Sequence, residues 1–397
     1  MNNEPTKNTI VILDGARTPM GSFCGVFSSV TAVELGSIAI KAAVQKAGIA
    51  AEEIDEVYMG CVLQAGLGQA PARQAAIGAG IPNSAGAVTI NKVCGSGMQA
   101  IIFAHDQIKL GNQHLAVAGG MESMTNAPHV LQNARSGIGS GHKTVLDSLF
   151  LDGLEDAYTG TSMGIFAQDT ADRNGLTREQ MDAFAIESLN RANKAIEQNL
   201  LKDEIAPVTV KSRREEILVE HDEQPQKARI EKISKLRPAF TKDGTITAAN
   251  SSSISDGASA IVLTSEEYAH EKGLQPKARI IAYSRHSHSP EEFITAPIGA
   301  IGKLFEKTGW NKDSTDLFEI NEAFAMVTML AIKELGLDPT KVNVNGGACA
   351  QGHPLGSTAS RLIVTLVHTL ARCGEKRGVA SMCIGGGEAL AMAIELV

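Results

Sequence analysis

Four short runs carry residue types that do covalent and proton-transfer chemistry. The first is Val93-Cys94-Gly95-Ser96-Gly97, followed by an apolar helical pattern. Small neighbours let the chain turn sharply and put Cys94 at a helix start, where the dipole and free N–H groups favour a thiolate. A thiolate attacks carbonyl carbon, and the same N–H groups can hold the resulting oxyanion. The competing reading is a buried, inert cysteine. The second run is Asn345-Gly346-Gly347-Ala348, leading into Gly352-His353-Pro354-Leu355-Gly356. Backbone, not a packed face, positions His353 here. Its imidazole titrates near neutrality and can take a thiol proton. A loop histidine that only hydrogen-bonds is the alternative.

The third run, Cys383-Ile384-Gly385-Gly386-Gly387, ends a strand. A cysteine there can approach a small ligand as acid or base, with glycine N–H groups as oxyanion donors; a strand cysteine and a plain turn are the other reading. The fourth, Asn321-Glu322-Ala323-Phe324-Ala325, joins a strand to a helix. Asn321 can orient a water or a carbonyl, or simply cap the helix. The run Asn250-Ser251-Ser252-Ser253 can line a ligand groove or be an ordinary loop. Zinc fits poorly: Cys349 and His353 stand four apart, but the chain has no C-x-x-C pair. No metal is expected.

These runs need elements to position them. Thr9 to Leu13, Glu56 to Met59, Leu115 to Ala118, Ala260 to Thr264, Leu317 to Glu319 and Val379 to Ile384 read as buried strands. Ala-rich amphipathic stretches lie between them, such as Ala32 to Ala47, ended by Gly48, and Met98 to Leu110, ended by Gly111. Alternation of this kind predicts an α/β layer architecture. From about Thr125 to Ala249 the chain is more charged. Thr177 and Gln180 have capping-box spacing, and Met181, Phe184, Ala185, Leu189, Ala192 and Ile196 form one apolar stripe. This segment reads as an insertion over the core. Gly119-Gly120-Met121-Glu122 and Gly385-Gly386-Gly387-Glu388 both follow strands, and Asn91 and Asn345 both precede a glycine-rich turn and a helix. Two similar core domains with a site between them would explain the pairing; chance would too.

Composition narrows the function classes. The chain has 397 residues, 43% hydrophobic and 20% charged, enough for two or three domains with full cores. Net charge is −8 without a basic block, which disfavours nucleic acid. No stretch reaches the roughly 20 apolar residues of a membrane helix. The start lacks the apolar core of a secretory signal. Six scattered cysteines are too few for a disulfide scaffold and fit a reducing, cytoplasmic setting. The 39 glycines with only 4% aromatics predict close packing and tight turns.

Taken in order, V-C-G-S-G, N-E-A-F, G-H-P-x-G and C-x-G-G-G resemble the thiolase family, and the resemblance covers nearly the whole chain. Ala16-Arg17-Thr18-Pro19, Gly119 to Met124 and Leu236-Arg237-Pro238-Ala239-Phe240 match as well. It implies the thiolase fold, two βαβαβαββ domains in a five-layered αβαβα arrangement plus a loop domain. The N-terminal core would take 1–124 and 249–275, the loop domain 125–248 and the C-terminal core 276–397. The resemblance also implies acyl transfer to and from coenzyme A, with coenzyme A thioesters as substrates and no cofactor. Cys94 would hold the acyl group, His353 would take its proton, and Cys383 would exchange a proton with the α-carbon of the second acyl-CoA. His353 and a water on Asn321 would bind the enolate oxygen; the N–H groups of Cys94 and Gly385 would bind the thioester oxygen.

Within the family the chain looks most like the acetyl-CoA acetyltransferases, through Met59 to Gln74 and in outline Ser162-Met163-Gly164. Ser252 matches the position that approaches pantetheine, and Ala248 and Phe240 match pocket positions; Ser162 and Met163 fall near the thioester. Four departures stand out: Ser162 where that branch commonly has His, Cys349 for an aliphatic residue, Ala350-Gln351-Gly352-His353-Pro354 for A-L-G-H-P, and Ser357-Thr358-Ala359-Ser360 for A-S-G. Lys211, Arg213, Arg214, Lys227 and Arg229 are candidates for the nucleotide phosphates or a solvated face. The expected reaction is condensation of two acetyl-CoA to acetoacetyl-CoA, reversed by thiolysis. The alternative is a broader 3-ketoacyl-CoA thiolase of fatty-acid breakdown. Cys383 speaks against a decarboxylating ketosynthase, and the complete residue set against a silent acyl-CoA-binding protein. A homotetramer or homodimer is expected, with Ala127 to Leu149 as the tetramer contact by location.

Overall fold

The computed structural model describes residues 9–211 and 215–397. Nine main strands form the frame: β1 (Ile10–Arg17), β2 (Glu56–Gly60), β3 (Gly86–Ile90), β4 (Leu115–Ser123), β5 (Ser255–Ser265), β6 (Ala278–Ser287), β7 (Leu317–Ile320), β8 (Arg377–Ile384) and β9 (Glu388–Leu396). Eight helices matter here: α1 (Ala32–Ala47), α2 (Pro71–Gly78), α3 (Ser96–Lys109), α4 (Met163–Arg173), α5 (Arg178–Glu197), α6 (Ala296–Thr308), α7 (Ala325–Leu335) and α8 (Leu355–Cys373). The strands run in the order β7-β8-β9-β6-β1-β5-β4-β2-β3. β7 is parallel to β8, and β2 is parallel to both β3 and β4; the pairings from β8 through to β4 are all antiparallel.

The order is close to a palindrome about the β1–β6 seam, where only Val11–Arg279 and Ile12–Ala278 face each other. β4 and β8 are equivalents, as are β2 and β7, and a single bridge from Phe318 to Val342 stands where β3 would have its counterpart. Helices α3 and α8 pack against strands of the two halves and against each other, forming the central layer. α1 and α2 cover the outer face of the first half, α6 that of the second. These are the five layers of the αβαβα expectation, with the two sheets joined edge to edge.

Local signals explain the helices. Thr31 accepts the Glu34 N–H and Glu34 answers to the Thr31 backbone, a capping box; Gly48 closes α1 at φ 67. Thr177 and Gln180 do the same for α5. α8 is buried without a break from Leu355 to Leu370, as a central-layer helix must be. Strand β4 runs on through Gly119 and Gly120 to Ser123, so these glycines sit in a strand, not in a turn after it. Between β4 and β5 lie α4, α5 and two small hairpin pairings, Val208–Lys211 with Glu216–Val219 among them.

Candidate active site

Small residues bring the first turns of α3 and α8 together. A Cβ on Gly97 would lie 2.8 Å from the Ser360 backbone nitrogen, and one on Gly120 would lie 1.8 Å from the Gly356 carbonyl oxygen. Ser259 of β5 bonds to the Ser357 and Ser360 hydroxyls at 3.0 and 2.6 Å. Larger side chains here would wedge the helices apart. The helix starts, and so the segments carrying Cys94 and His353, therefore converge.

Cys94 is held by a strained turn. Val93 has φ 46, a costly conformation for a β-branched residue. Two bonds fix it: the Val93 N–H donates to Asn91 Oδ1 at 2.9 Å, and the Ser96 hydroxyl donates to the Val93 carbonyl at 2.6 Å. The turn aims Cys94 into the cavity described below. Burial pushes its thiol up to about 11, although N–H groups of Gly385 and Cys94 itself pull it down, and Glu122 adds to the rise. The expected thiolate is thus not the resting form. Desolvation outweighs the helix start, and the sulfur stays protonated at neutral pH.

His353 supplies the missing base. Its Nδ1 lies 2.7 Å from Thr358 Oγ1, and that hydroxyl donates its single hydrogen to the Pro354 carbonyl at 2.9 Å. Thr358 can therefore only accept from His353, which puts the proton on Nδ1 and leaves Nε2 as the free lone pair. Nε2 is buried and makes no protein hydrogen bond among the described residues. Burial, with Arg361 nearby, lowers the imidazole to about 3, so it is neutral and able to accept. Sequence reasoning noted Thr358 only as a departure; its role is visible in the bond pattern.

Cys383 is 1% exposed. Burial holds its thiol well above the ordinary value, and neighbouring Cys94 adds to this. Gly385 opens the β8–β9 turn and lines the same cavity as Cys94, and its N–H lowers the Cys94 thiol against burial. Asn321 follows β7, bound through its backbone to Ser381 at 3.0 Å. The helix cap is Phe324, so Asn321 is no cap. Its Oδ1 and Nδ2 are buried without partners among the described residues, as a group waiting for water would be.

One cavity of about 510 Å³ gathers these groups. Cys94, His353, Cys383 and Gly385 line it, and so do Ser162, Met163, Phe240, Ala248 and Ser252. Asn321 does not line it. Phe293 and Phe324 were missed from the sequence; with Phe240 they build an aromatic wall, with the Phe240 and Phe293 ring centroids 6.1 and 6.3 Å from that of Phe324. Ser162 caps α4 by position but makes no side-chain cap bond. Ser252 donates N–H and hydroxyl to the Ala323 carbonyl, at 2.9 and 3.0 Å, which zips the serine run onto the Asn321 loop. Of the basic candidates, Lys211 pairs with Glu216 and Lys227 with Glu223, Arg229 lines no part of the cavity, and Arg213 and Arg214 lie outside the described residues.

Comparison with known proteins matches this arrangement. The family model "Thiolase, N-terminal domain" covers residues 10–267, and "Thiolase, C-terminal domain" covers 274–396. The chain belongs to the thiolase family. A probable acetyl-CoA acetyltransferase of Dictyostelium discoideum is 47% identical over 388 residues, 98% of this chain and 94% of that one. The acetyl-CoA acetyltransferase of Schizosaccharomyces pombe is 46% identical, over 98% of this chain and 99% of its own. The Bacillus anthracis acetyl-CoA acetyltransferase structure superposes with TM-score 0.96 at 42% identity, covering 99% and 100% of the two chains. The Ascaris suum Acat5 thiolase, solved in complex with coenzyme A, gives 0.93 at 42% identity, covering 98% and 100%. The chain is accordingly an acyltransferase.

Two buried carboxylates brace the site of this thiolase, and neither was singled out from sequence. Glu122 accepts N–H groups from Val62, Leu63 and Gly356 at 2.8–3.0 Å, tying the β2 exit to the start of α8. Burial raises it to about 7 against those donors. Glu322 accepts from Ser188, Asn343 and the Cys349 N–H at 2.7, 2.8 and 3.1 Å, and burial raises it too. Cys349 therefore packs on Glu322 and not in the cavity.

Proposed function

We propose that this thiolase interconverts two acetyl-CoA with acetoacetyl-CoA and coenzyme A through an acetyl-cysteine at Cys94. The observation that carries this reading is the shared cavity of Cys94, His353, Cys383 and Gly385. In thiolysis, the Cys94 sulfur attacks the 3-keto carbon as its proton passes to His353 Nε2. The C2–C3 bond then breaks, and its electron pair leaves as the enolate of acetyl-CoA. Protonated Nε2–H donates to the enolate oxygen, with a water on Asn321 as second donor, and Cys383 protonates the carbon. A second coenzyme A thiol passes its proton to the Cys383 thiolate and takes the acetyl group from Cys94, whose leaving sulfur recovers its proton from His353; the thioester oxygen rests on the Cys94 and Gly385 N–H groups. Condensation runs the same steps backwards. The thiol proton is removed only as the C–S bond forms, because Cys94 is held up and His353 down.

The names of the relatives support the acetyl-CoA assignment. The aromatic wall and Ser162 favour a second reading, a longer acyl chain. Thiolysis of 3-ketoacyl-CoA from four to sixteen carbons separates them: sharp preference for acetoacetyl-CoA supports the first, equal or better rates on long chains the second. No turnover on any length overturns both. The kcat/KM profile should lack an inflection near 6.5, the ordinary histidine value, because His353 stays neutral to about 3. Exposed Leu131, Ile138 and Val145 support assembly of the 127–149 segment into a tetramer, checked by light scattering. The free cysteines support a cytoplasmic setting, checked by fractionation.

A further inference from the structure

Lys92 stands two residues before Cys94 and is built into the turn that carries it. Its N–H donates to Ser96 Oγ at 2.8 Å, and its carbonyl accepts from Gly95 N at 3.0 Å. Any shift of Lys92 therefore shifts Cys94. On the other side of the cavity, Glu388 closes the three-glycine turn, in register with Ile384 and Ser287. That turn is open on one side and packed on the other: Gly386 and Gly387 take φ 90 and 84, nothing lies within 4 Å of where a Gly386 Cβ would be, and Gly387 rests on His288 and Ser289. Lys92 Nζ forms an ion pair with Glu388 Oε2, while Ser287 Oγ donates to the other carboxylate oxygen at 3.3 Å.

A second attachment lies on the near side. A Cβ on Gly95 would meet Ile384 and Leu390, so the hairpin already rests on the start of α3 there. One attachment leaves a hinge; two fix an angle. The angle in question sets Gly385 against the Cys94 turn: both residues line the cavity, and a Val93 methyl lies 3.5 Å from where a Gly385 Cβ would be.

We propose that Lys92 and Glu388 are positioning residues, an ionic clamp that joins the Cys94 turn to the Gly385 turn and holds the oxyanion donors in register. The proposal rests on the thiolase reading. Neither side chain lines the cavity, so the clamp acts on rate and not on substrate binding.

The test is steady-state thiolysis of acetoacetyl-CoA by Lys92→Met, Glu388→Gln and the exchanged pair Lys92→Glu/Glu388→Lys, with thermal unfolding of each. Each single variant should lose about two- to fivefold in kcat, the scale of one partly screened ion pair, with both KM values unchanged. The exchange should recover most of the loss. Single variants with the wild-type kcat, a loss confined to KM, or an exchange no better than the singles would overturn the clamp. A wild type without turnover defeats the thiolase reading instead. The clamp is then read from alkylation of Cys94 by iodoacetamide, followed by peptide mass: slower alkylation in the single variants, restored in the exchange, supports it, and unchanged rates reject it.

Discussion

The two halves each carry glycines shortly before a glutamate, within a central strand in one and just after it in the other, and they use the pattern in opposite ways. In the first half, Gly119 and Gly120 lie within β4 with ordinary backbone angles, and their missing side chains admit Ser259 and Gly356. Glu122 is fully buried and holds three N–H groups. In the second half, Gly386 and Gly387 take positive φ in a turn that is open at Gly386 and packed on His288 and Ser289 at Gly387, and Glu388 is partly exposed in an ion pair. One set of glycines serves close approach, the other backbone freedom. The difference teaches that the first half holds its wall of the site through a buried carboxylate and the second half through a backbone turn and an ion pair at its edge.

The comparison can be broken in graded steps. Gly120→Ala should be the most damaging, because its Cβ would fall 1.8 Å from a backbone oxygen with no flexible group to give way. A loss of about 3 kcal/mol or more is expected, read by urea unfolding or by failure to fold.

Glu122→Gln comes next, and its signature is pH. The native carboxyl is raised to about 7, so between about 4.5 and 7 the native state holds a proton that the unfolded chain has released. Stability therefore falls as pH rises through that window, by on the order of 3 kcal/mol for this group. Glu122→Gln should remove that share of the slope, measured by unfolding at pH 5 and 7.5.

Gly387→Ala adds a clash 2.4 Å from the His288 carbonyl oxygen to its positive φ, whereas Gly386→Ala meets nothing. Gly386→Ala should cost only the backbone strain, about 1–2 kcal/mol, and Gly387→Ala more. If the two variants unfold at the same midpoint, the clash at Gly387 is relieved at no cost and the turn is packed more loosely than its geometry indicates.

Much of this was legible in the sequence. The stop at Gly48 and the capping box at Thr177 placed two helices, and six strands announced themselves as short apolar runs. β6 and β9 did not. Ala278–Ser287 mixes Arg, Ser and His with its apolar residues, and Glu388–Leu396 is Ala-rich; both become strands through pairing with each other, which periodicity cannot report. All the expected site residues except Asn321 reach the cavity, because backbone turns with small residues fix their place. The bracing groups were hidden for the opposite reason. Glu204 and Asp222 sit in a stretch that reads as charged surface, yet both are buried and bind Arg17, at 2.5 and 2.7 Å, from 187 and 205 residues away. Nor does spacing predict a thiol pushed up by burial, since desolvation depends on what the fold stacks above the sulfur.

The near-palindromic sheet has a consequence for biosynthesis. β1 finds its main partner only when β5 has been made, and β6 waits for β9, the last described strand. A chain halted on the ribosome before residue 388 would carry Cys94 and His353, but the hairpin bearing Cys383 and Gly385 would have no second arm. Partial chains of this enzyme are thus chemically quiet, and the onset of turnover during synthesis is a clock for closure of the final strand.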